Sequence, residues 1–89
     1  MTDGHSVISP EVLARYAADA AAEVPGVHTK QRRAARVHGD EIDVHIVVDV
    51  GASIPEVAQQ VQTHVLQYLA QMADARPSAV HVIVDDVQR

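Results

Sequence analysis

The sequence contains no cysteine, no phenylalanine and no tryptophan. Without cysteine there are no disulfides, no thiolate nucleophiles and no cysteine-based zinc sites. With two tyrosines as its only large aromatics, the core has to be aliphatic, built from Val and Ala whose individual contacts are small. Basic residues are scarce too. Seven Lys and Arg stand against twelve Asp and Glu, a formal net charge of −5, and that balance argues against general binding to nucleic-acid phosphates. No apolar run approaches the ~20 residues of a membrane span. The opening Met1, Thr2, Asp3, Gly4 and His5 carry neither the basic residues nor the apolar run of a signal peptide. A cytoplasmic protein is expected, and any association with a membrane would have to be peripheral or through a partner.

What is present is a chain of 89 residues, 47% of them hydrophobic, which suits one compact domain over residues 1–89, with a core over 7–87 and a flexible start at 1–6. A chain of this size buries roughly 60–65% of the surface its unfolded form exposes, so partner subunits are a natural source of further stability.

Helix signals come first. Ser9 can accept from the backbone at a helix start, and Pro10 suits the first helical position, where its missing N–H would be unpaired anyway. Leu13, Tyr16, Ala17, Ala20 and Val24 recur at helical spacing, and Pro25-Gly26 ends the helix. Residues 27–31 read as loop. A weak strand follows over residues 32–38, and Gly39-Asp40 reads as a two-residue hairpin turn of the II′ type. The next strand is clear: Ile42, Val44, Ile46, Val48 and Val50 alternate with Asp43, His45, Val47 and Asp49, the period-2 pattern of a strand with one strongly buried face.

Gly51 breaks that strand. Ser53 and Glu56 have the spacing of a capping box, with Pro55 stiffening the first turn of a second helix. Val57, Val61, Val65, Leu69 and Met72 form its apolar stripe, which ends near Ala73. A last strand covers residues 79–85, with Val80, Val82 and Val84 facing inward and His81, Ile83 and Asp85 outward. The predicted fold is two-layer α+β (α/β in the broad sense), α-β-β-α-β, with two helices on one face of a three-stranded sheet; the order first–second–third is favoured, and the pattern alone also allows the last strand beside the first. The basic first strand suits a sheet edge, where charge discourages stray pairing.

The residues Gly51, Ser53, Ile54, Pro55, Glu56 and Val57, set between an apolar strand and a helix with Val61 and Val65, resemble the alkaline-shock and general-stress protein family of envelope stress response. The Val80, Val82, Val84, Asp86, Val87 strand and the Ile8, Ser9, Pro10, Glu11 helix start resemble it too, so the likeness runs from about Val7 to Val87. Val50 stands where the family often has Tyr, Ala73 to Pro77 where it commonly has Thr-Gly, and Lys30 to Arg36 is more basic than its usual first strand. The resemblance implies a non-enzymatic bacterial protein without cofactor, one that self-associates and that, like some members of the family, sits at the membrane through a membrane-anchored partner.

Read without the resemblance, the residues offer little chemistry for catalysis. Ser9 and Ser53 are accounted for as caps and Ser78 by a turn, leaving no nucleophile with an evident base. His45 and His81 point away from the helices beside Asp43, Asp49 and Asp85, a set that could ligate a divalent ion; an exposed polar sheet face is the simpler reading. Imidazoles titrate near ~6.5, so a pH-dependent assembly is conceivable. Val47 and Ile83 on the same face are candidates for contact with another subunit. Lys30, Arg32, Arg33 and Arg36 are candidates for an acidic partner or anionic headgroups, against the simpler reading of a charge-protected edge. A small RNA-binding domain or a divalent-metal-binding regulatory domain is the alternative to a scaffold. The first is opposed by the acidic charge and by the lack of a Gly-x-x-Gly loop and of strand aromatics for stacking.

Overall fold

The computed structural model describes residues 8–30 and 34–89. Helix α1 spans Pro10–Ala22, and the Ser9 hydroxyl accepts from the Val12 N–H at 3.2 Å, as the sequence predicts. The helix places Ala17, Ala20 and Ala21 in the core with no exposed surface. These side chains have no bulk to hold the helix away from the sheet, so its backbone lies close to the strands beneath.

Strand β1 (Val27–His28), strand β2 (Ala35–His38), strand β3 (Glu41–Asp49), helix α2 (Ile54–Ala73) and strand β4 (Ala79–Gln88) follow. The architecture is the expected two-layer α+β arrangement, with one correction: the sheet has four strands, not three. Residues 27 and 28, expected to be loop, form β1. Gly26, at φ +83°, turns the chain so that Val27 enters the core and pairs with Val48. Two residues are too few for alternation to show. The predicted start of the next strand at residue 32 falls outside the described residues; within them β2 begins at Ala35.

β3 is the central strand. β1 and β2 run antiparallel to it, end to end along one edge, and β4 runs parallel to it along the other. This agrees with the first–second–third order expected for the longer strands. Gly39 turns the β2–β3 hairpin at φ +62°. Asp40 keeps a negative φ, as a II′ turn requires.

Inside the two layers, Ile42, Val44, Ile46 and Val48 meet Val57, Val61, Val65 and Leu69, all at 7% exposure or less. Two members of the predicted stripes do not join them. Val50 lies beyond the end of β3 and is 58% exposed, because Gly51 at φ +92° has begun to swing the chain toward α2. Met72 is 54% exposed on the last turn of α2, past the reach of the sheet. Asp74 then takes a left-handed conformation (φ 51°), and the Ala75 N–H returns to the Leu69 carbonyl at 3.1 Å, a turn that closes the helix.

The capping box is a further correction. Ser53 is at the N-cap of α2, but its side chain makes no capping hydrogen bond. The Ser53 carbonyl takes the Val57 N–H at 2.9 Å, and Pro at the start of the helix has already removed one of the N–H groups a cap would satisfy. Pro55 and Glu56 lie in the exposed first turn.

Candidate functional site

Both helices cover the same face of the sheet, so the opposite face is formed by the side chains that alternate outward. On β3 these are Glu41, Asp43, His45, Val47 and Asp49; β4 contributes His81, Ile83 and Asp85. The registers His28↔Val47, Arg36↔Asp43 and Asp43↔His81 add β1, β2 and β4 to one continuous polar surface.

Its organising feature is a set of histidine–carboxylate pairs between strands. His28 Nε2 lies 2.8 Å from Asp49, His38 Nε2 3.0 Å from Asp43, His45 Nδ1 3.1 Å from Asp85, and His81 Nε2 2.7 Å from Glu41. A fifth pair, His64 with Glu23 at 2.7 Å, joins α2 to the end of α1. Every histidine among the described residues therefore holds a carboxylate on another segment. Strand alternation places His45 and His81 on this face, but no local spacing links His28, His38 or His64 to a carboxylate partner. Those partners lie 21, 5 and 41 positions away. Only strand register and helix packing bring them together.

His45 and His81 are diagonal neighbours, since His45 is in register with Ile83 and His81 with Asp43. Each is engaged with its own carboxylate, and among the described residues no three His, Cys, Asp or Glu side chains converge as a metal cage. Val47 and Ile83 share the face but not the exposure expected of them. Val47 is only 9% exposed, flanked on both sides by paired strands, while Ile83, on the edge strand, is half-buried.

Of the basic segment, Lys30 and Arg36 are exposed, and Arg32 and Arg33 lie outside the described residues. Arg36 lines an open groove of ≈ 530 Å³ between α1 and β2, shared with Arg15 but also with Glu11 and Asp19. That mixture of signs is a weaker attractor for anions than the sequence run alone implies. A second groove, ≈ 680 Å³, lies between the end of α1 and the face of α2, lined by Glu23, Glu56, His64 and glutamines. No described helix is long and apolar enough to cross a membrane.

The fold has solved counterparts. The zinc form of a MamM CTD variant is 26% identical, with a TM-score of 0.52 over 85% of this chain and 84% of its own. A second MamM CTD variant, at 20% identity and TM-score 0.50, covers 85% of this chain and 95% of its own, a likeness of fold. A search of the curated proteins found no match. Residues 36–89, more than half of the chain, match the alkaline shock protein 23 family, described as having a cell envelope-related function. This span includes Gly51, the α2 start and β4, the residues on which the resemblance was first read. The chain belongs to the alkaline shock protein 23 family.

Proposed function

We propose that the protein is a non-enzymatic interaction module of the cell envelope stress response, self-associating into a scaffold and brought to the inner face of the membrane by a membrane-anchored partner. The observation that carries this reading is the one-sided sheet. Among the described residues the helices cover one face only, and no element covers the other face or pairs with the outer edge of β4. Such surfaces are completed by another chain more readily than by a small substrate. The family's cell envelope-related function agrees with it. The smaller groove is lined by charged side chains, Thr29 and apolar residues, the larger by acids, glutamines, Val24, Pro25, Thr63 and His64.

The test is sedimentation equilibrium of the full chain across a wide concentration range, with affinity capture from native bacterial lysate and identification of the captured proteins. A concentration-dependent oligomer and an envelope protein among the captured species are the expected results. A chain that stays monomeric and captures nothing refutes the reading.

A second reading, a divalent-metal-binding regulatory domain, draws support from the zinc form of the MamM CTD variant and from His45 and His81 on the open face. Here a ligand set would require His45 or His81 to leave its carboxylate or the pair to bind together. Calorimetric titration with zinc decides it. Absence of saturable binding removes this reading and leaves the first intact.

A further inference from the structure

The outer edge of β4 is unusual for an exposed strand. Ala79–Gln88 is ten residues long, roughly 33 Å at the rise of an extended chain. Among the described residues β4 pairs with β3 alone. Proteins normally blunt such an edge with charge, Lys above all, with Pro, a bulge or brevity; β4 contains no Lys, Arg, Pro or Gly, and its acids and its register irregularity come only at Asp85 and Asp86, which leaves Ala79 to Val84 without such a device. Burial on the helix side stops short of this edge. Val44 and Ile46 on β3 are at 0% and 1% exposure, whereas Val82 and Val84, their register partners on β4, are only half-buried. Leu66 on α2 and Val87 at the end of β4 are 39% and 44% exposed. The apolar layer thus runs out to the edge with its cover incomplete.

The order of residues along that edge points to the occupant. His81, Val82, Ile83, Val84 and Asp85 mirror one another about Ile83 in their valines, with an imidazole at one end and a carboxylate at the other. We infer that a second copy of this chain docks on the edge, β4 against β4, antiparallel about a two-fold axis at Ile83. This inference rests on the self-association proposed above.

In that register Ile83 faces Ile83 of the partner subunit once, on the axis, while Val82 faces the partner's Val84 and His81 faces the partner's Asp85, each of these two contacts occurring twice. The two end side chains are already held on the open face. Glu41 holds His81 at 2.7 Å, and His45 Nδ1 lies 3.1 Å from both Asp85 oxygens. A carboxylate has lone pairs for more than one donor, so each seam would read acid, histidine, acid, histidine across the two subunits. Shifting the register by two residues places His81 against an isoleucine. Shifting it by one sends the apolar residues to the wrong face. A two-fold pair closes on itself, whereas parallel pairing of identical edges does not. The half-buried valines of both copies then share one apolar layer.

The absence of cysteine makes a clean test available. Directly opposed antiparallel residues approach closely enough for a disulfide after small adjustment. The full-length Ile83→Cys variant, oxidised under mild conditions, is expected to form a disulfide-linked dimer, whereas Gln60→Cys on the exposed face of α2 is not. Because Ile83→Cys alters the seam itself, a second measurement uses mixtures. Val82→Cys mixed with Val84→Cys should crosslink as a heterodimer far more than either variant alone.

Sedimentation provides the charge test, with circular dichroism confirming the fold of each variant. His81→Asp opposes two pairs of like charge and should weaken association by about tenfold, with the H81D/D85H double exchange recovering most of the loss. A dimer that crosslinks at none of these positions overturns the β4 pairing while leaving self-association standing. A chain that is monomeric throughout overturns both.

Discussion

Replacing Ser9 and Ser53 by Ala, one at a time, separates two helix starts that look alike in sequence. Each serine precedes a proline-containing first turn with a glutamate in it. Only Ser9 makes the capping bond, from the Val12 N–H to Oγ at 3.2 Å. Losing a serine N-cap typically costs about 1 kcal/mol. Because α1 supplies three fully buried alanines to the core, that loss should appear in global stability. For a domain of this size it corresponds to a fall in Tm of about 4–8 °C. Ser53→Ala removes no such bond from an exposed residue, and the expected change is within about 0.5 kcal/mol. Urea unfolding followed by circular dichroism, with thermal melts of the same samples, provides both values. Equal destabilisation by the two substitutions, or a larger effect at Ser53, would refute the assignment of the cap to Ser9 alone.

Leu69→Ala empties a site with 0% exposure and should destabilise by about 2–5 kcal/mol, whereas Met72→Ala, at 54% exposure, should change unfolding by under about 0.5 kcal/mol; denaturant midpoints compare them. Gly51→Ala meets no atom within 4 Å but must adopt φ +92°, so a loss of about 1–2 kcal/mol is expected from backbone strain alone. An unchanged midpoint would contradict the need for a left-handed residue there. A double-mutant cycle of His45→Gln and Asp85→Asn should give a coupling below about 1 kcal/mol, since both side chains are about a third exposed and water screens the pair. That coupling should shrink further in molar salt.

Most of the secondary structure was legible because it rests on local patterns. Period-2 alternation from Ile42 to Val48 marked β3, and spaced Val and Leu marked α2. Gly39 and Gly51 marked the places where the chain must take a positive φ. The errors share a cause. Val50 and Met72 continue their patterns correctly, but those patterns extend past the point where anything lies opposite them. β1 has only two residues and carries no period at all. Ser53 has the right spacing for a cap, yet spacing does not dictate where its side chain turns.

For the site the division is sharper. The alternation of apolar and polar residues on β3 and β4 settled by itself that one sheet face would be polar and would carry His45, His81 and their acidic neighbours. Composition settled equally that no thiol chemistry would be present. Which carboxylate each histidine holds, why Val47 is covered while Val82 and Val84 are only half-buried, and which strands lie at the edges of the sheet were decided only in the folded chain. The physical reason is that a period along one strand specifies the direction of a side chain, while its neighbours come from strand register and from how far a helix reaches across the sheet. These depend on residues up to 41 positions apart, whose proximity no local pattern encodes.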